Sequence, residues 1–221
     1  MKTVAWVPIK LNNERLPNKN ILPLGDKPLC RHMLETLLDV KHIDDIYVFC
    51  SDEKITEYLP TGVKFLRRDK ALDEPHVGHY EIVESFISLV DADVYVNAHV
   101  TNPFIKAATI QDGLNRVLSN EYESANAALP LRKHIWFGKE PLNFTRTFLP
   151  RTQDLSSLYM DMNLCIYKRD VYAKGRSRYS MEPYFMLLDE IESVDIDYPN
   201  DYILAQAIYT LINEQKGATP C

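Results

Sequence analysis

Three cations stand close together near the start of the chain. They are Lys10, Arg15 and Lys19, in VPIKLNNERLPNKN (7–20). Lysine and arginine neutralise phosphate oxygens, and Asn12, Asn13 and Asn20 add uncharged donors and acceptors. The stretch holds no glycine. Loops that hold phosphate through backbone N–H groups ordinarily use glycine, so that the main chain can approach the anion. Two readings follow: an anion site built from side chains, or a solvated turn of ordinary turn residues. A second group lies in SVDIDYPND (193–201), where Asp195 and Asp197 are two apart. On a strand this spacing aims both carboxylates the same way, and they could share a divalent cation. Two solvated carboxylates at a strand end are the alternative. Asp201 suits the first turn of a helix better than a ligand role. His99, in NAHVTNPF (97–104), can donate a hydrogen bond and brings a titration near neutrality; a part-buried histidine at a strand end is its plainer reading.

The elements that must carry these groups show in the hydrophobic periodicity. TVAWVPI (3–9) is wholly apolar, as expected of a buried parallel strand. Further strands are predicted at 45–51, 63–68, 92–100, 123–131 and 192–198, with 162–172 a strand running into a turn. Helical spacing predicts helices at 30–40, 79–90 and 107–119, a short one at 53–59 capped by Ser51 or Asp52, and one at 199–215 with Pro199 near its start. Between residues 132 and 160 the period lapses among aromatics, prolines and cations, which suggests a lid, a β-excursion or a subunit contact, with Trp136 and Phe137 part of it. No repeat or low-complexity linker divides the chain, so 1–221 reads as one domain. Alternating strands and helices predict an α/β fold, with a mostly parallel sheet covered on both faces. Ligands in such sheets sit beyond the carboxyl ends of the strands. That rule brings Lys10 to Asn20, Ser51 and Asp52, His99 to Pro103, and Asp195 to Asp197 to one edge.

The 221 residues carry a formal charge of −6, which argues against nucleic acid as a partner. A local cationic loop within an acidic whole suits a small anion. Four cysteines, Cys30, Cys50, Cys165 and Cys221, lie far apart without metal-ligand spacing. The first three fall in apolar runs as buried thiols and Cys221 on a frayed tail, which suits a reducing cytoplasm. No apolar run approaches the ~20 residues of a membrane span, and the apolar part of MKTVAWVPIK is too short for a signal peptide.

The order of residues adds a resemblance. PIKLNNERLPNKN followed by GDKPL resembles the first motif of the sugar-acid cytidylyltransferases. Pro8, Pro17, Lys19 and Asn20 match the acylneuraminate branch, and Arg15, Leu16, Pro17 and Lys19 the CMP-Kdo branch. Lys10 stands where the family has arginine, and Leu11 and Asn12 replace its two glycines. DIDYPND, ahead of a helix, is similar to the acylneuraminate closing motif, whose Asp pair binds Mg²⁺. Thr101 and Pro103 match that branch's L-Q-P-T-S-P-L, with His99 in place of the glutamine that contacts nucleotide or sugar. A Kdo-type metal site is disfavoured, because Thr101 stands where that branch has its aspartate. PRTQDLSSLYMDMNLCIY (150–167) is similar to the family's R-x-Q-D, Y, N-G-x-I-Y run through Arg151, Gln153, Asp154, Tyr159, Asn163, Ile166 and Tyr167. Leu164 replaces its glycine.

The resemblance implies a Rossmann-like three-layer nucleotide-diphospho-sugar transferase fold. It implies a cytidylyltransferase that joins CTP to a 3-deoxy-2-ulosonic, sialic-acid-like acid, releasing a CMP-sugar and pyrophosphate. Pro8, Lys10, Asn13, Arg15, Lys19, Asn20 and His99 would hold the nucleotide. Thr101, Arg151, Gln153, Tyr159 and Asn163 would hold the sugar, Arg151 as partner of its carboxylate. Asp195 and Asp197 would hold Mg²⁺, and with Lys10, Arg15 and Lys19 would form the catalytic set. A cytoplasmic homodimer is implied, with the 132–160 arm reaching across. Another acidic acceptor, or a catalytically silent nucleotide-binding or assembly subunit, are the alternatives.

Overall fold

A computed structural model describes residues 1–217; Cys221 lies outside them. Seven strands form one mixed sheet: β1 (Thr3–Ile9), β2 (Asp45–Cys50), β3 (Val63–Arg67), β4 (Val94–Asn97), β5 (Ser124–Leu131), β6 (Leu158–Lys168) and β7 (Tyr184–Leu187). Their spatial order is β7-β5-β6-β4-β1-β2-β3. β1 pairs parallel with β2 and with β4, and β2 with β3. β6 runs antiparallel to both β4 and β5, while β7 is parallel to β5. The chain steps outward from β1 to β3 on one side, then returns to β4 on the other. This reversal opens a crevice between the carboxyl ends of β1 and β4.

The helices are α1 (Leu29–Leu38), α2 (His79–Leu89), α3 (Ala107–Leu118), α4 (Arg169–Gly175) and α5 (Pro199–Gly217). Met33, Leu34 and Leu37 of α1 and Ile110, Leu114 and Val117 of α3 share one buried cluster with Val7, Val48 and Val96. Val83 and Phe86 of α2 and Tyr172 of α4 bury the other face over Trp6, Tyr95 and Tyr167. Both faces are covered, so β1 is apolar at every position after Thr3, and six of its seven residues, Thr3 included, are buried. Pro8 is tolerated there because β4 pairs with β1 only as far as Trp6, leaving Pro8 a neighbour, Phe49, on one side alone.

Three expectations are corrected. Residues 192–198 are not a strand: turn and irregular backbone lead into α5, and Ile196 N–H donates to Thr101 O at 2.9 Å. Buried Ile196 anchors that segment in a small core beneath α5 with Leu24, Leu29 and Ala205. One apolar residue does not make a ladder. The 53–59 element is a 3-10 helix, Glu53–Tyr58, with Asp52 as its cap and Ser51 bonded instead to Asp73. The irregular region ends sooner than residue 160, since Leu158–Met160 already pair with β5. Before that it carries a small ribbon of Trp136–Phe137 against Glu140–Pro141. β7 was not anticipated. It is a four-residue edge strand whose one buried residue, Met186, packs against Gly113 of α3.

Candidate active site

A cavity of about 370 Å³ opens at the β1–β4 crevice. The loop after β1 forms one wall. Its backbone turns at Asn18, which holds the left-handed conformation (φ 55°) ahead of the 3-10 turn Lys19–Ile21. Asparagine is among the few non-glycine residues that enter this region readily, so the loop turns without glycine. Leu11, at a position where the resembling family has glycine, packs partly buried against the core. Buried Asn20 ties the loop together: its Nδ2 donates to Lys10 O at 2.7 Å and reaches Asn13 Oδ1 at 3.5 Å.

The carboxylates approach from the α5 side. Asp201 accepts the N–H groups of Asp197 and Tyr198, at 3.0 and 2.7 Å. It is the helix-start carboxylate that its position suggested, and it fixes Asp197. Arg15 grips Asp197 with both nitrogens (2.9 and 3.0 Å) and lies over the Tyr198 ring, 5.2 Å from its centroid. Lys19 donates to Asp197 Oδ1 at 2.8 Å with its own side chain only 8% exposed. Burial alone would raise the Asp197 pKa, but the Lys19 hydrogen bond and the Lys19 and Arg15 charges hold it below the ordinary carboxylate range. Asp195 goes the other way. Burial raises it, only partly opposed by the Thr101 side chain, and its Oδ1 is buried without a partner.

The cavity therefore gathers Pro8, Lys10, Asn13, Arg15, Lys19, Asn20, His99, Thr101, Asn163, Asp195 and Asp197 from the sequence-derived set. Asn163 reaches it because β6 shifts register between Asp161 and Cys165, with Asn163 left-handed at φ 56°. Leu164 is buried in the core instead. Three residues assigned to the sugar are not brought there. Arg151 is exposed and bonded to Asp154 at 2.7 Å, Gln153 sits in the exposed 3-10 turn Thr152–Asp154, and exposed Tyr159 stacks on Phe185. Arg151 and Gln153 lie in the irregular arm and Tyr159 in the outer part of β6, where it pairs with Pro130 of β5; none of the three lines the cavity.

His99 corrects a further expectation. Its Nε2 is buried without a partner, and burial, with the nearby His79 and the Arg178 charge, pushes its pKa down to about 3. It is a wall residue that stays neutral in the folded protein near neutrality, so the site gains no change of charge from it there.

Sequence reasoning missed Arg68 and gave His79 no role. Arg68 lies just past the end of β3, with its side chain 2% exposed. It donates to Ile9 O at 3.0 Å and pairs with Asp73. Its signal was available: it follows a strand at the sheet edge where ligands gather. His79, at the start of α2, contacts Asn97 Oδ1 through Nε2 at 3.2 Å and lies beside Trp6 and His99. A second cavity of about 280 Å³ shares Lys10, Asn13, Arg15, Lys19 and Asp197 with the first, so the Arg15–Asp197–Lys19 cluster borders both.

A cationic loop facing two carboxylates at the switch point of a mostly parallel sheet is the place where open, Rossmann-like α/β sheets hold their ligands. A family model described as cytidylyltransferase matches residues 4–216, and the chain belongs to that family. It is 23% identical over 217 residues to an N-acylneuraminate cytidylyltransferase of Streptococcus agalactiae serotype III, covering 92% of this chain and 52% of that protein. The chain thus spans about half the length of that relative. It is also 23% identical over 236 residues to a pseudaminic acid cytidylyltransferase of Campylobacter jejuni serotype O:23/36, covering 97% of this chain and 99% of that protein. The fold matches a solved CMP:2-keto-3-deoxy-manno-octonic acid synthetase complexed with CTP at a TM-score of 0.71 and 17% identity, covering 97% of this chain and 100% of that one.

Proposed function

We propose that this chain is a cytidylyltransferase that activates a 3-deoxy-2-ulosonic acid with CTP. The observation that carries the proposal is the meeting of Lys10, Arg15 and Lys19 with Asp195 and Asp197 in one cavity, within this family. The acceptor's anomeric oxygen bonds to the α-phosphorus, the bond from that phosphorus to the bridging oxygen breaks, and pyrophosphate leaves; the hydroxyl proton passes to solvent. Lys10, Arg15 and Lys19 hold the triphosphate and offset the charge that grows on the leaving pyrophosphate. Triphosphate competes with Asp197 for Arg15 and Lys19, so nucleotide binding releases that carboxylate.

Asp195 and Asp197 would hold Mg²⁺. The fit rests on the unpartnered buried Asp195 Oδ1 and on the all-oxygen donors, with nucleotide and water supplying the remaining ligands. Among the described residues no group of three or more His, Cys, Asp or Glu forms a fuller cage, consistent with a metal shared with substrate phosphates. When bound, the metal would polarise phosphate oxygens and acidify the attacking hydroxyl. The exposed apolar side chains Trp136, Phe137, Leu142, Phe148 and Leu149 on the arm support a homodimer, which gel filtration checks.

The test is pyrophosphate release with Mg²⁺ across four nucleoside triphosphates and a panel of ulosonic acids. Release that needs both CTP and one of these acids is expected. Release with a different acidic acceptor, or none with any pair, overturns the assignment.

A further inference from the structure

Arg178 lies between α4 and β7 and is 7% exposed. No carboxylate pairs with it among the described residues. Its Nη1 donates to Asn97 Oδ1 at 2.8 Å, its Nη2 reaches the Tyr179 hydroxyl at 3.4 Å, and its Nε has no partner. The nearby Asp161 carboxylate accepts from the Tyr179 hydroxyl at 3.1 Å instead. A buried guanidinium whose direct hydrogen-bond partners are all neutral is costly, because no carboxylate in contact offsets the desolvation of its charge. Natural cores rarely keep such a charge without a partner to meet it.

The neighbours of Arg178 share that unfilled capacity. Asn97 is fully buried at the end of β4, with its Nδ2 unpartnered. His79 contacts the same Asn97 Oδ1, so the guanidinium stands one residue behind a cavity-lining side chain. His99 Nε2, also buried and unpartnered, faces the same wall, with its ring centroid 5.4 Å from that of His79. Arg178, the idle Asn97 Nδ2 and the idle His99 Nε2 thus cluster behind the end of the cavity that His79 and His99 line; Arg178 and Asn97 do not line it themselves. The Lys10, Arg15 and Lys19 loop lies on another wall. Arg151 is exposed and already paired.

We propose that the Arg178–Asn97 pair, behind the His79 and His99 wall, is the counter-charge for the carboxylate of the acceptor and sets the preference for an acid. This rests on the acceptor reading of the cavity given above. Arg178 acts as a specificity-determining positioning residue: the carboxylate meets the His79 and His99 wall, and the guanidinium supplies the charge from behind it.

The test compares kcat/KM for N-acetylneuraminate and 3-deoxy-manno-octulosonate with that for their methyl esters, at saturating CTP. The wild type should favour acid over ester by about tenfold or more, since a site built for a charged group rejects its neutral analogue. Arg178→Met should bring that ratio close to one, with KM for CTP within about twofold. Asn97→Asp places a carboxylate where Nη1 already donates. It should collapse the ratio and raise the melting temperature of the free protein, which keeps the test decisive if Arg178→Met does not fold. Arg151→Ala should keep the ratio. An unchanged acid preference in Arg178→Met or Asn97→Asp overturns the proposal, as does its loss in Arg151→Ala alone. If the wild type turns over none of these compounds and no other ulosonic acid of the wider panel, the acceptor reading has failed separately. The same two acids, as sodium salts, are then tested by melting: stabilisation of wild type but not Asn97→Asp upholds the subsite, and any other pattern overturns it.

Discussion

Replacing Asp197 with asparagine keeps the shape of the side chain and removes its charge, which separates two roles of one residue. In the free protein Asp197 closes a cluster with Arg15 and Lys19. The two contacts differ in worth. Arg15 is 54% exposed, so its pair is screened and contributes under about 1 kcal/mol. The Lys19 side chain is only 8% exposed, and its charge-assisted hydrogen bond is worth about 2 kcal/mol. Asp197→Asn should therefore cost about 2 to 3 kcal/mol. At roughly 2–4 °C per kcal/mol for a chain of this size, the melting temperature falls by about 6 °C. The charge state does not complicate the measurement. The folded pKa of Asp197 is depressed, so its stabilisation is present above the ordinary carboxylate range and lost only as pH falls through the depressed value. Denaturant unfolding near neutral pH, without nucleotide or metal, is the assay. A double-mutant cycle with Lys19→Met should give a coupling of about 1.5 kcal/mol, and one with Arg15→Met well under 1. Near-zero coupling for Lys19, or a larger one for Arg15, would refute the reasoning. A metal-binding carboxylate that only served catalysis would leave stability untouched, so this variant also tests how far the site is held together by its own opposite charges before substrate arrives.

Two buried histidines set a pH dependence of folding. His79 and His99 are held neutral with pKa values of about 4 and about 3, from an ordinary value of 6.5, chiefly by burial. The unfolded chain takes up protons below that ordinary value while the native state does not, so stability falls as pH drops. At about pH 5 the loss is about 2 kcal/mol for each histidine; a flat unfolding free energy from about pH 7 to 5 would count against it. Arg68→Met should cost about 3 to 5 kcal/mol, because it strands buried Asp73 and two backbone carbonyls, read by chemical denaturation. A loss below about 1 kcal/mol would mean that the Arg68–Asp73 pair is solvated. Gly25→Ala should destabilise by about 2 kcal/mol, since φ is +68° and a Cβ would meet the Tyr209 ring at 1.9 Å. Retained α5 docking, seen as unchanged near-ultraviolet dichroism and melting, is the contrary result.

Local order in the chain determined the layered α/β class, nearly every strand and helix, and the loop of Lys10, Arg15 and Lys19. Periodicity records which face of each element is buried, and six buried positions in TVAWVPI leave little freedom. The order of residues carried the family as well, through PIKLNNERLPNKN and DIDYPND. Three things needed the tertiary structure. Residues 192–198 alternate like a strand but have no neighbour to pair with along their length, a property of the rest of the fold. Arg151, Gln153 and Tyr159 match a sugar-binding run by type, yet where they end up depends on the path of the arm and of β6. Arg178 lies in a stretch without periodicity, and its significance is what does not pair with it once α4 and β7 have brought it over Asn97. A motif shows which groups are present. Desolvation, and the partners left over when the core has closed, decide which of them remain charged and which are free to meet a ligand.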